Sequence, residues 1–387
     1  MTSAAILPGA TLGVMGGGQL GRMFVHAAQS LGYLTAVLDP DPASPAGLIA
    51  HYHVRADYLD EAGLAQLMQR CDAITTEFEN VPAAALTTLG AHRPVAPGAD
   101  AVAVCQDRVA EKRQFARCGV ACAPHAAIDE AAAIAAVPAG LFPGILKTRR
   151  LGYDGKGQAG IVDRDGLRDA WDALGGVPCI LEQRLPLARE ISAIVARSAF
   201  GEVVALPVMQ NLHRDGILAL TQAPAPDVSP ALQRQAVDAA AAIAESMAYV
   251  GVLCVEFFVL ADGRLVANEM APRPHNSGHC SIDACDASQF ELQVRALAGL
   301  PLVAPRQHSA ALMLNLLGDL WFDADGRAGS PDWPAVLALP GVHLHLYGKA
   351  SARRGRKMGH LTITAAMADT AQAVARDAAA RLGLPPW

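Results

Sequence analysis

The sequence predicts an α/β protein of two or three domains. Three observations carry this. The chain has 387 residues, more than one hydrophobic core normally serves. It opens with an apolar strand, a glycine cluster, an amphipathic helix and a second apolar strand. Short apolar runs then alternate with helical patterns as far as residue 98.

The opening reads as a βαβ unit, with a strand over 11–15, a helix over 22–31 and a strand over 34–38 that ends at Asp39. Gly16-Gly17-Gly18-Gln19-Leu20-Gly21 lies between the first strand and the helix. With an acid about 20 residues on, this matches the dinucleotide fingerprint of a Rossmann-like domain. Taken alone it predicts an NAD-dependent oxidoreductase. The same glycines serve any fold that brings a helix N-terminus to an anion. Residues 73–76 form another strand, and Glu77 and Glu79 follow at its C-terminal end, where open α/β sheets bind ligands. The run 93–98, with two prolines and a glycine, marks a boundary. It closes a first domain over 1–98, followed by a second over 99–300 and a small third over 301–387 that begins at the Pro301-to-Pro305 stretch.

Residues 100–118 have a helical pattern, and the charges on it, Glu111 and Lys112 included, read as a solvated face. In 144–148 a lysine, Lys147, sits inside an apolar strand. It requires an anionic partner or the loss of its charge. Gly152, Gly155 and Gly157 then allow backbone N–H groups to turn toward phosphate oxygens. This is not a Walker loop, because Gly157 replaces the Ser or Thr after Lys156 and a strand follows, not a helix. Lys147 and this flap together favour a nucleoside triphosphate. Strands are expected over 179–184 and 189–195, a polar turn over 211–216 and a helix over 230–247.

The stretch 251–279 is the centre of the chemistry. Asp262-Gly263 between apolar runs predicts a hairpin with a two-residue type I′ turn. That register pairs Ala261 with Arg264, Leu260 with Leu265 and, counting outward, Glu256 with Glu269. The two carboxylates then face each other roughly 5 Å apart at Cβ. Buried like charges repel, and a divalent cation relieves the conflict; Mg²⁺ suits carboxylate oxygens. Beyond Glu269, Arg273, His275, Asn276, Ser277 and His279 offer hydrogen-bonding heads in a Pro- and Gly-interrupted loop, a cradle for a small oxyanion. A zinc site of His275, His279, Cys280 and Cys285 is the weaker reading, since no second spaced pair accompanies them. A helix over 289–300, strands over 311–317 and 343–349, and the basic loop Arg353, Arg354, Arg356 and Lys357 complete the chain. In an acidic protein that loop suggests a phosphate-bearing substrate.

Net charge is −6, which argues against a general nucleic-acid surface. No apolar run reaches transmembrane length, and no basic residue precedes Arg22, so no secretory signal is expected. The eight cysteines include no C-x-x-C pair and read as free thiols of a cytoplasmic protein.

Specific motifs are spread through the chain: GGGQLGRM at 16–23, TEFENVP at 76–82, LGYDGKGQ at 151–158, NLHRDGIL at 211–218, NEMAPRPHNSGH at 268–279 and HLHLYGKASARRGRKMGHL at 343–361. With these the chain resembles the ATP-grasp superfamily, and within it the 5-(carboxyamino)imidazole ribonucleotide synthase family of purine biosynthesis. The resemblance implies a Rossmann-like N-terminal domain, a two-lobed α+β ATP-grasp domain and a small C-terminal domain. It implies a carbon–nitrogen ligase that uses ATP, Mg²⁺, bicarbonate and aminoimidazole ribonucleotide, by way of carboxyphosphate, and that is often a homodimer. By motif position, Arg108, Lys147, Gly152, Tyr153, Asp154, Gly155, Lys156, Gly157, Gln158, Glu182, Gln183, Arg184, Leu185, Glu190, His213, Asn268 and Glu269 are the expected ATP contacts. Glu256 and Glu269 are the expected metal ligands. Arg273, His275, Asn276 and Lys349 are the expected bicarbonate or carboxyphosphate site. Gln19, Glu77, Tyr153, Asp154, Lys349 and Arg356 are the expected contacts to the aminoimidazole nucleotide, with Asp154 as the proton-handling candidate. The glycine cluster then faces substrate, not NAD. Two positions depart from pattern: Thr76 stands where the family often has an aromatic residue, and Ala271 where many ATP-grasp enzymes have a metal-binding Asn. A formate-activating ATP-grasp ligase acting on glycinamide ribonucleotide, and an ATP-binding sensor without turnover, are the remaining alternatives.

Overall fold

A computed structural model describes residues 5–152, 155–323 and 325–387. Three sheets follow one another along the chain. The first is parallel, with strands β1 (Thr11–Met15), β2 (Leu34–Leu38), β3 (Tyr52–Val54) and β4 (Ala73–Thr76) in the order β3-β2-β1-β4. Every residue of β1 and β4 is buried, as a parallel sheet covered on both faces requires. Helices α1 (Gln19–Ser30), α2 (Glu61–Arg70) and α3 (Ala83–Gly90) accompany it. α1 starts at the glycine cluster and buries Leu20, Met23, Phe24 and Val25. Each such side chain contributes about 1.5–3 kcal/mol by leaving water.

The stretch read as one helix over 100–118 is two, α4 (Ala99–Cys105) and α5 (Arg108–Arg117). Asp107 separates them: its extended backbone ends the first, and its Oδ1 accepts from the N–H groups of Val109 and Ala110 to cap the second. The second sheet is antiparallel, with β5 (His125–Ile128), β6 (Gly144–Thr148), β7 (Gln158–Ile161) and β8 (Cys179–Gln183) in the order β5-β8-β6-β7. Leu167 and Trp171 of α6 (Asp165–Ala173) close its core.

The third sheet has nine strands: β9 (Leu187–Arg197), β10 (Val203–Ala205), β11 (Met209–Arg214), β12 (Ile217–Ala223), β13 (Gly251–Leu260), β14 (Leu265–Ala271), β15 (Ala310–Leu317), β16 (Val342–Leu346) and β17 (Lys357–Ala365). Their order is β14-β13-β9-β11-β12-β15-β17-β16, with β10 beside β9. The last three strands, from the C-terminal part of the chain, therefore extend the same sheet through the β12–β15 pairing. α7 (Pro230–Ser246) packs on β9 and β13 through Ala236, Ala240 and Ile243. After the short α8 (Ser281–Ala284), α9 (Gln289–Ala298) packs against the first sheet's α1 and sends Gln293 to Thr75 at 2.9 Å. α10 (Trp333–Leu337) and α11 (Ala368–Arg381) cover the last strands, Val336 and Ala371 joining their core.

Two further stretches differ from expectation. The polar stretch 211–216 is strand β11 as far as Arg214, with the turn confined to Asp215 and Gly216. Its polarity is satisfied within the sheet, where Asn211 donates to Ser192 at 2.6 Å and accepts from Thr221 at 3.0 Å. The hairpin turn is not the two-residue kind. Leu260 donates to the Arg264 carbonyl and Gly263 to the Leu260 carbonyl, and Gly263 alone of Asp262 and Gly263 has positive φ, +85°. This is the three-residue loop with a left-handed glycine. It pairs Val259 with Leu265, one residue away from the expected register. A β-bulge then leaves Asn268 unpaired and restores the pairing of Glu256 with Glu269.

Candidate active site

The cleft is built where the second and third sheets meet α5 and the loop after β14. β13 and β14 present Glu256 and Glu269 side by side. Arg108, at the start of α5, donates to Glu269 at 2.9 Å and to the Gly152 carbonyl at 3.3 Å. Lys147 on β6 meets Glu182 on β8 at 3.1 Å, which supplies the anion that a lysine in an apolar strand requires. Lys112 of α5 lies on the other oxygen of Glu182 at 3.4 Å.

Electrostatics follow from this arrangement. Burial raises the pKa of Glu182, yet Lys147 and Lys112 outweigh it and hold the carboxyl down to about 2. Burial lowers the pKa of Lys147, and Glu182 counters that. In the carboxylate pair, burial and the neighbouring Glu269 push Glu256 up. Glu269 is held down, because Arg108 and Lys147 overcome its burial. The pair thus carries one firmly ionised carboxylate and one that resists ionisation, as two close carboxylates must.

The residues fit a divalent cation. Glu256 Oε1 is buried without a hydrogen-bond partner, the His275 Nε2 atom lying 3.6 Å away, and Asn268 Oδ1 is likewise buried and unpartnered. Among the described residues no group of three or more His, Cys, Asp and Glu side chains could hold a metal ion. A cation on Glu256 and Glu269 would therefore draw its other ligands from water or phosphate, as suits Mg²⁺. The zinc reading fails on the same ground, and His279 is instead held by Gln289 at 3.0 Å.

The loop beyond β14 carries Arg273, His275 and Asn276. Arg273 Nε donates to Glu79 at 2.5 Å. His275 is neutral, because burial and then Arg273 lower its pKa well below the usual value. Its Nδ1 sits 2.9 Å from Ser277 Oγ. Both amide atoms of Asn276 are buried and unpartnered, ready for a small polar ligand. From the third sheet, His213 on β11 is ion-paired with Glu190 on β9, and its pKa is raised because Glu190 and Glu256 outweigh its burial.

The glycine cluster turns out to hold protein carboxylates. Gly17 donates to Asp39 at 2.7 Å, Gly18 to Glu77 at 2.6 Å and Gly21 to Glu77 at 2.8 Å. The second oxygen of Asp39 accepts from Asp41 at 2.8 Å. Donors that a dinucleotide pyrophosphate would use are thus taken, which overturns the NAD reading. Lys349 reaches across from the C-terminal part of the chain to Gln19 Oε1 at 2.7 Å, and Arg356 donates to the Ser351 carbonyl at 2.8 Å. Gln183 ends β8, with the Arg184 N–H bonded to the Pro143 carbonyl and Leu185 beyond it. The flap residues Gly155 and Gly157 have φ of +74° and +71°, and Gln158 pairs with Lys147. Lys156 lies at the same tip. Tyr153 and Asp154 lie outside the described residues.

Sequence reasoning missed Glu111 and Lys112. Read as a solvated face, they are 2% and 1% exposed. Their partners, Met270 and Asn268, are about 160 residues away in the chain, so no local pattern reveals them.

Residues 9–106 match the ribonucleotide synthetase preATP-grasp domain, 113–290 the ATP-grasp domain and 311–374 the phosphoribosylaminoimidazole carboxylase C-terminal domain. The chain is 44% identical over 369 residues to the N5-carboxyaminoimidazole ribonucleotide synthase of Brucella melitensis, covering 94% of this chain and 98% of that one. The crystal structure of N5-carboxyaminoimidazole synthetase from Staphylococcus aureus complexed with ADP superposes with a TM-score of 0.88 at 36% identity, covering 98% of this chain and 99% of that one. The Aspergillus clavatus N5-carboxyaminoimidazole synthase, in complex with ADP and 5-aminoimidazole ribonucleotide, gives 0.88 at 31% identity, with 97% and 99% covered. The carboxylate pair, the buried lysine, the glycine flap and these likenesses converge, and the chain belongs to the N5-carboxyaminoimidazole ribonucleotide synthase family of ATP-grasp enzymes.

Proposed function

We propose that the protein is an ATP-dependent ligase that carboxylates 5-aminoimidazole ribonucleotide with bicarbonate, giving 5-(carboxyamino)imidazole ribonucleotide, ADP and phosphate in purine biosynthesis. The observation that carries the chemistry is the facing of Glu256 and Glu269 beside the Lys147–Glu182 and Arg108–Glu269 pairs. Mg²⁺ on the two carboxylates would neutralise charge on the transferring phosphoryl group.

The chain's own residues do the rest. Lys147 and Arg108 are fixed cations at the mouth of the glycine flap and suit the phosphates of ATP. Arg273, neutral His275 and the unpartnered amide of Asn276 suit bicarbonate and the carboxyphosphate formed when it attacks the γ-phosphate. Glu79 fixes the Arg273 guanidinium, so the cradle is organised before the acid arrives. Flap closure would exclude water while carboxyphosphate releases CO₂ for capture by the substrate amine. Gln19, Glu77, Lys349 and Arg356 would receive the ribonucleotide, a role supported by the contact of Lys349 with Gln19. The same reading places the enzyme in the cytoplasm as a homodimer, independent of nucleic acid or membrane. All eight cysteines are free, and among the described residues no helix is long and apolar enough to cross a membrane.

The test is ADP release from Mg-ATP and bicarbonate, with and without 5-aminoimidazole ribonucleotide. Strong stimulation by that nucleotide is expected. Stimulation by formate and glycinamide ribonucleotide instead, or ATP binding without turnover, would contradict the proposal.

A further inference from the structure

We propose that Glu111 and Lys112 of α5 are positioning residues that pin the β14 bulge and thereby set Glu269 opposite Glu256. The inference rests on the proposed function in taking those two carboxylates as the cation site.

β14 is an edge strand, bonded to β13 on one side only. An edge leaves a row of backbone N–H and C=O groups without sheet partners. Three consecutive needs are met here from outside the sheet. The Ala267 N–H donates to the Ala121 carbonyl at 2.8 Å. Lys112 Nζ donates to the Asn268 carbonyl at 2.5 Å. The Met270 N–H donates to Glu111 Oε1 at 2.6 Å. These contacts flank the bulge on both sides, since Phe257 pairs with Ala267 and Glu256 with Glu269 while Asn268 pairs with nothing.

The bulge decides the chemistry. The turn sets the strands one residue short of the carboxylate pairing, and continued without a bulge that register places Glu256 opposite Asn268. Glu269 then turns to the other face of the sheet, because a one-residue slip flips every later side chain. A side-chain acceptor and a side-chain donor, each fixed on a helix, hold the slipped backbone in place. Neither is a cheap filler. Burying a charge is costly, and an apolar pair would fill the same space at lower cost. What the charged pair adds is the capping of the bulge. Lys112 also touches Glu182, so one ammonium ties the strand that carries Glu182 to the strand that carries Glu269. Arg108, one turn earlier on the same helix face, binds Glu269 itself.

The experiment compares wild type with Glu111→Ala and Glu111→Gln, since Gln keeps an acceptor for the Met270 N–H. Three quantities are read: Mg²⁺ for half-maximal ADP release, ADP affinity in EDTA, and hydrogen exchange at Met270. For Glu111→Ala the Mg²⁺ requirement is expected to rise about 10-fold or more, with metal-free ADP affinity within about 3-fold of wild type. Exchange at Met270 is expected to accelerate, and Glu111→Gln to recover most of both effects. An unchanged Mg²⁺ requirement in folded Glu111→Ala overturns the inference. So does a loss of metal-free ADP binding as large as the rise in Mg²⁺ requirement. Should Glu111→Ala not fold, Lys112→Met, which removes the donor to the Asn268 carbonyl, is held to the same rise in Mg²⁺ requirement. A wild type whose ADP release ignores Mg²⁺ overturns the cation site itself, and is distinct from a metal-dependent wild type with an indifferent variant.

Discussion

At the scale of single residues, the site is a set of charges each held by its opposite. Glu182 is the clearest. It is buried, it bridges Lys147 and Lys112, and its folded pKa of about 2 lies below the ordinary 4.5. A depressed carboxylate contributes stability that is complete above the unfolded value and disappears as pH falls through the folded one. Wild type should therefore lose stability between about pH 4.5 and pH 2, with Glu182 responsible for up to about 3 kcal/mol. Urea unfolding of wild type and Glu182→Gln across that range checks it: the variant should show the shallower slope and lower stability at neutral pH. Equal slopes would mean that Glu182 is not the anchor described. Lys147 was legible from sequence because a charge inside an apolar run demands a partner. Glu111 and Lys112 were not, because a charged residue on a helix is solvated unless a distant segment buries it.

At the scale of elements, strands announced by continuous apolar runs or alternation, such as 34–38, 73–76 and 311–317, are present as read. Elements whose logic is polar were misread. β11 looks like a turn because Asn211 and His213 are polar, and only its neighbours Ser192, Thr221 and Glu190 reveal why they fit. The hairpin is the instructive case. A two-residue turn without a bulge and the observed three-residue turn with one both place Glu256 opposite Glu269, the bulge supplying the compensating residue. The flap also depends on an element-level contact: a Cβ on Gly155 would lie 2.9 Å from the Asp215 carbonyl oxygen, at a φ of +74°. Left-handed backbone costs a non-glycine residue about 1–2 kcal/mol, so Gly155→Ala should raise the KM for ATP by about 5–30-fold while leaving the melting temperature nearly unchanged. Unaltered nucleotide kinetics in that variant would show that the flap tip does not seat against the β11–β12 turn.

At the scale of the whole molecule, the site exists only because distant parts of the chain meet. Glu79 follows the first sheet, and its partner Arg273 lies 194 residues later. Lys349 meets Gln19 across 330 residues. Sequence motifs located these residues, whereas their pairing is a property of the folded chain. Removing one partner of a partly buried ion pair leaves the other less compensated, so Glu79→Gln should lower stability by about 1–2 kcal/mol. It should also raise the KM for bicarbonate more than that for ATP, since Arg273 belongs to the oxyanion cradle. An equal effect on both substrates would argue that Glu79 merely supports the fold. Activation of bicarbonate by phosphoryl transfer in this cleft leaves one bicarbonate oxygen on the released phosphate. The most direct measurement is to supply ¹⁸O-labelled bicarbonate with unlabelled ATP and 5-aminoimidazole ribonucleotide and to analyse the released phosphate by mass spectrometry. Transfer of one ¹⁸O to phosphate per turnover is the predicted result. Carboxylated product formed with wholly unlabelled phosphate would contradict it.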